Sequence, residues 1–209
     1  MSLSELNVKD FVEQVSADSP APGGGSVAGL EAALGAALGL MVVRLTQGRE
    51  KYAHLASHAA EVEKKLITLK AGLMDAMERD CAAFNEVSAA FHMPRGTDEE
   101  KARRSTAIQK GLRACTEAPL GLMKLCAEGL TLVESMMGRC NDTCVSDLGA
   151  AAVSLKAGLM GAWLNVRVNI AWLKDKEFAR VCREKGEKLL AHATPVADRC
   201  YAGALVSCK

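Results

Sequence analysis

Aromatic side chains make up only 4% of the 209 residues, and opposite charges nearly cancel, leaving a formal net charge of +1. A nucleic-acid surface draws on clustered Lys and Arg, often interleaved with aromatics, so that class is set aside. The eight cysteines contain no CxxC pair and are irregularly spaced. Buried free thiols are therefore expected rather than disulfides or a zinc site. Met1 to Asp10 is polar and lacks a basic stretch followed by an apolar one, so no signal peptide is read and a cytoplasmic location is expected. Strand-like alternation and internal repeats are also missing. What remains is a globular profile, 49% apolar and 24% charged, long enough to bury a sizeable core.

Helical periodicity runs through nearly the whole chain. Val8, Phe11, Val12 and Val15 share a face, with Asn7 placed to cap it. After a Pro/Gly break, Ser26 is expected to open a helix to about Gln47. The almost wholly apolar span Val27 to Val43 within it is slightly short for a bilayer, which needs ~20 residues. It also carries Glu31 and the small-residue pairs Gly25/Gly29 and Gly35/Gly39, which suit close helix contact. A buried core or dimer-interface helix is preferred over a membrane anchor.

A long helix is predicted from about Tyr52 to Phe91, ending before Pro94. Thr97 and Glu100 form a capping box for the next, which Pro119 is expected to kink or restart. Gly138 to Val145 reads as a loop. Ser146 and Asp175 are candidate caps for the last two helices, the second interrupted at Pro195. With no linker visible, residues 1–209 read as one all-α domain, an antiparallel bundle of about seven helices.

On the long third helix, Val62, Leu66, Leu69, Leu73, Met77, Asp80, Phe84, Val87 and Phe91 line one stripe. Asp80 is its one charged member. A carboxylate on a buried seam is costly unless paired, and desolvation raises its pKa toward the range useful for proton transfer. A buried ion pair or interhelical hydrogen bond would equally explain it. The glycine turn Pro22-Gly23-Gly24-Gly25-Ser26 lets a ligand approach the backbone and a helix start, or is simply a flexible turn with a serine cap. It is not a Walker A loop, having no following Lys and no preceding strand. Asn165 and Asn169, one turn apart, can read a heterocycle that both donates and accepts, or can bond neighbouring helices. Asp147 can complement a helix dipole. His54 and His58 are spaced i, i+4 without a third ligand, so no metal site is expected.

These segments carry a specific resemblance. Ser19 to Ala28 resembles the opening motif of the cyclodeaminase/cyclohydrolase family. Leu45 to Tyr52, Asp80-Cys81-Ala82-Ala83-Phe84, Met93 to Gly111, Ser146 to Gly149 and Leu164 to Ile170 follow in the family's order. The similarity extends from Phe11 to about Asp198. It implies an all-helical homodimer acting on a folate, with no metal and no cofactor beyond the tetrahydrofolate substrate. Asp80 matches the family's catalytic aspartate. Among the substrate-binding candidates, Lys51 and Arg104 are expected near the glutamate tail. Asn165, Asn169 and Asp147 are placed at the pterin or bridge, with Asn141 in a neighbouring loop. Cys140 departs from the family's usual glycine. The 209 residues carry no counterpart of a formimidoyltransferase half.

The expected activity is formimidoyltetrahydrofolate cyclodeaminase, giving 5,10-methenyltetrahydrofolate and ammonia. The alternative is methenyltetrahydrofolate cyclohydrolase, and a further one is a helical domain that binds folate without turnover. Neither a nucleic-acid nor a membrane partner is expected.

Overall fold

The computed structural model describes residues 2–207. It contains α1 (Val8–Ser16), α2 (Gly24–Thr46), α3 (Ala56–Phe91), α4 (Asp98–Met136), α5 (Val145–Trp172) and α6 (Lys176–Ser207), with short 3-10 turns at Leu3–Glu5, Glu50–Leu55 and Asp142–Cys144. No strand occurs among the described residues. Helix starts follow local chemistry. Asn7 Oδ1 accepts from the Asp10 N–H at 2.9 Å, and Asp175 Oδ1 from the Phe178 N–H at 2.9 Å. Thr97 and Glu100 form a reciprocal capping box on α4. Ser146 is not the cap of α5. That helix starts one residue earlier, and Asn141 caps the 3-10 turn before it.

Helices α2, α3, α4 and α5 form a ring in which each packs on the next and α5 returns to α2. α6 lies against α4 and α5. Short connections force the antiparallel order. Leu66 and Leu73 of α3, Met123 and Leu130 of α4, and Leu155 and Leu159 of α5 are fully buried between them. Small residues let α2 sink between its neighbours. A methyl group on Gly158 of α5 would lie 2.7 Å from the Ala28 carbonyl oxygen of α2. α2 is long and apolar enough to cross a membrane, but 61% of its most apolar window is buried inside the protein.

There are six α-helices among the described residues, because Pro119 does not divide α4. A proline lacks the N–H that would bond the carbonyl four residues earlier, here Cys115. That carbonyl accepts instead from Asn169 Nδ2 of α5, at 2.7 Å. A side chain from the neighbouring helix therefore takes the place of the missing backbone donor. Pro195 likewise sits inside a continuous α6, and the carbonyl it orphans belongs to exposed Ala191. The Asp80 stripe is buried from Val62 to Met77 and again at Val87, whereas Phe91 at the helix end is exposed. The seven cysteines among the described residues are free and, apart from half-buried Cys81, buried. Cys208 lies outside them.

Candidate active site

Asp80 lies on the face of α3 that meets the first turn of α2. Gly25 makes this possible, because a side chain there would overlap the carboxylate. Ser26, buried behind it, donates its hydroxyl to Asp80 Oδ2 at 3.3 Å and reaches the Met77 carbonyl at 3.5 Å. Burial pushes the Asp80 carboxyl above its ordinary range, while the Ser26 hydroxyl and backbone N–H pull the other way. The carboxylate caps the start of α2 from a neighbouring helix, where the dipole favours negative charge.

In front of Asp80 is a cleft of about 270 Å³. Pro20, Ala21 and the glycine turn form one wall, and Leu164, Asn165, Val168 and Asn169 of α5 form another. Cys81, Phe84 and Cys115 complete it. Asp80 is the one charged side chain among these lining residues. Burial pushes the Cys115 thiol up to about 11, and Cys81 is raised too, so neither is a thiolate at neutral pH. The chemistry available is proton transfer and charge stabilisation by one carboxylate.

The sequence candidates divide between two ends of the bundle. Gly23, Gly24, Gly25, Asp80, Asn165 and Asn169 converge on the cleft. Pro22 and Ser26 adjoin it without lining it. Asn165 Nδ2 donates to the Gly161 carbonyl of its own helix at 3.0 Å. Each amide thus spends one of its two N–H donors on a carbonyl and keeps the other, with its oxygen, for a ligand. Arg104 does not line this cleft but lies in a separate basic pocket of about 340 Å³ with Arg95, Lys101 and Lys174, and its guanidinium donates to the Phe91 carbonyl at 3.0 Å.

Lys51, Asn141 and Asp147 sit at the far end of α2, a helix about 33 Å long. The Asn141 N–H donates to Thr46 Oγ1 at 2.9 Å, and Lys51 pairs with Asp142 on the surface. Asp147 is half-buried in the first turn of α5. Cys140 is accommodated without strain, because the left-handed residue of its loop is Gly138, at φ 69°. Cys115 was not singled out in the sequence, although Pro119 four residues later signals an orphaned carbonyl there. Among the described residues no three His, Cys, Asp or Glu side chains cluster as metal ligands.

The sequence profile of the formiminotransferase-cyclodeaminase family matches residues 7–188, nearly the whole bundle with the cleft inside it. The chain belongs to that family. It is 37% identical over 194 residues to the methenyltetrahydrofolate cyclohydrolase of Methylorubrum extorquens, covering 93% of each chain. It is 36% identical over 192 residues to the formimidoyltransferase-cyclodeaminase of Rattus norvegicus, covering 92% of this chain but 36% of that one. The crystal structure of formiminotetrahydrofolate cyclodeaminase from Thermotoga maritima superposes with a TM-score of 0.87 over 98% of both chains, at 22% identity, which speaks for the fold. The relatives are folate enzymes of one-carbon metabolism, named for two reactions, and the family places this chain among them.

Proposed function

We propose that this protein opens and closes the one-carbon bridge of tetrahydrofolate, in the cytoplasm and as a homodimer, with Asp80 as the proton shuttle. The observation that carries this is a raised-pKa carboxylate standing alone at the floor of a cleft between the glycine turn and two amides. A cleft whose lining holds one negative charge and no cation suits a cationic bridge, and 5,10-methenyltetrahydrofolate carries one.

Hydrolysis of that methenyl cation is the first reading. End-to-end similarity to a cyclohydrolase moves it ahead of the deaminase reaction expected from the sequence. Water attacks the bridge carbon and Asp80 takes its proton, which leaves a neutral carbinol. Asp80 then returns a proton to N5 as the N5–carbon bond breaks. The carbinol hydroxyl loses its hydrogen to solvent and becomes the formyl carbonyl on N10. One proton is released overall. The oxygens of Asn165 and Asn169 face the pterin or bridge, and the Arg104 pocket receives the glutamate carboxylates.

The deaminase reaction is the second reading, favoured by the formimidoyltransferase-cyclodeaminase relatives. There N10 attacks the carbon of the protonated formimino group, Asp80 takes the N10 proton and passes it to the resulting amine, and ammonia leaves the methenyl cation behind. Purified protein offered each folate separately, followed by the absorbance of the methenyl chromophore, separates the two. Faster loss of the methenyl band than its appearance from formiminotetrahydrofolate supports the first reading, and the reverse order supports the second. Inactivity on both overturns the enzyme assignment.

A further inference from the structure

Two prolines sit inside long helices, and their surroundings differ. Proline is the residue least tolerated in a helix interior, because it frees a carbonyl one turn back. Pro195 is exposed and so is Ala191, whose carbonyl it frees, so solvent can serve that acceptor. Pro119 is buried, and so is Cys115. A buried carbonyl without a donor is costly, and this one is served from another helix, by Asn169 Nδ2 at 2.7 Å. Cys115 and Asn169 both line the Asp80 cleft, so the repair is made in the wall of the active site.

That bond also gives Asn169 a direction. A side-chain amide has a donating and an accepting end, and a neighbour that can only accept decides which end faces it. With Nδ2 committed to α4, the Asn169 oxygen is turned away from Cys115. Asn165 has no such anchor on a second helix, because its donor goes to the Gly161 carbonyl one turn back on α5. The proline ring makes the anchor in two ways. It removes the backbone N–H that would hold the Cys115 carbonyl along the axis of α4, and its bulk pushes that carbonyl outward. A residue with an N–H at position 119 would draw the carbonyl back into the helix ladder and leave Asn169 with a shared, poorly placed acceptor.

We propose that Pro119 is a positioning residue of the active site: by freeing the Cys115 carbonyl it fixes the direction in which Asn169 presents its amide to the one-carbon bridge. This rests on the folate reading of the cleft. Pro119 does not line the cleft and acts through Asn169. An amide aimed before the substrate arrives does not have to be ordered during the reaction, and its oxygen stands ready where positive charge is held on the bridge.

The test is a double-mutant cycle between Pro119→Ala and Asn169→Leu, with circular dichroism to check folding. Pro119→Ala alone should lower kcat/KM by about fivefold or more. In the Asn169→Leu background the same change should alter kcat/KM by less than about twofold, because the group it acts through is gone. Stability should show the matching coupling. Asn169→Leu strands the Cys115 carbonyl in the wild type, whereas the N–H restored by Pro119→Ala serves it from within α4. The fall in urea midpoint caused by Asn169→Leu should therefore shrink by about half or more in the Pro119→Ala background. Wild-type kcat/KM in Pro119→Ala overturns the proposal, as does an equal loss of kcat/KM in both backgrounds. Should Pro119→Ala fail to fold, Pro119→Val restores the same N–H with a side chain of similar bulk and takes its place.

The link between the two residues is also read without any folate. In protein labelled with ¹⁵N-asparagine, the Asn169 NH₂ signal is assigned by its loss in Asn169→Leu. It should move toward the position of a solvated amide in the proline variant, and an unmoved signal overturns the proposal. Wild-type protein inactive on both folates would sink the folate reading, and the amide signal and the urea midpoints would still decide whether Pro119 orients Asn169.

Discussion

Asp80 and Asp142 are the same side chain in opposite circumstances. Asp142 is exposed and paired with Lys51, whose hydrogen bond holds its carboxyl below the usual range. Asp80 is mostly out of water and has no cation among the residues around it, and its carboxyl is raised. A paired charge in water is comfortable and does little. A charge short of water and with no opposite charge beside it keeps its affinity for a proton, which a shuttle requires. The bundle stores that discomfort at one end and relieves it at the other.

Asp80→Asn breaks the comparison most severely. The amide is nearly isosteric but cannot relay a proton, so kcat should fall by roughly 10²- to 10⁴-fold in the absorbance assay. The fold should not suffer. A carboxyl raised in the folded state contributes stability that is present below its ordinary value of 3.8 and is lost as pH rises through the folded value. The mutant should therefore melt at or above the wild-type temperature at pH 7, and the gap should close toward pH 3 in calorimetry. A mutant that melts well below the wild type would show that the carboxylate is structural.

Gly25→Ala sharpens the same point through geometry. The methyl group pushes the carboxylate off the first turn of α2, and turnover should drop by about 10- to 100-fold with the helical content kept. Asn169→Leu should act on stability as well as activity. It leaves the Cys115 carbonyl without a donor in a partly buried position, at a cost of about 1–3 kcal/mol by urea denaturation. Asp142→Asn should have the smallest effect on stability. Its contribution is present above the ordinary carboxylate value and is lost as pH falls through the lowered folded value. Because both partners are in water, the melting temperature at pH 7 should shift by no more than about 1 °C.

Periodicity in the sequence was enough to pick Asp80 out of α3, because an apolar stripe with one charge in it is a local pattern. The caps at Asn7, Thr97 and Asp175 were legible for the same reason. Pro119 does not restart the helix, since whether a proline breaks a helix depends on whether another donor reaches the carbonyl it frees. Asn169 is 50 residues further on, and no local rule connects the two. Ser146 lost its place as a cap because the helix already begins at Val145, with Cys144 in the cap position. The separation of Asp147 and Lys51 from Asp80 was invisible for another reason. Motif order along a chain does not say which ends of antiparallel helices share a level, and that emerged only when the glycine contacts set α2 against α5. Phe91 follows the stripe in spacing but runs past the end of the core.

Ser26 has one hydrogen and two acceptors within reach, Asp80 and the Met77 carbonyl. While Asp80 is ionised, the hydroxyl turns toward it. Once Asp80 holds a proton, that attraction weakens and the hydroxyl can swing to the backbone of α3. A proton arriving at Asp80 would thus turn a small rotor behind the acid, so that the buried side of the pocket registers the charge on the open side.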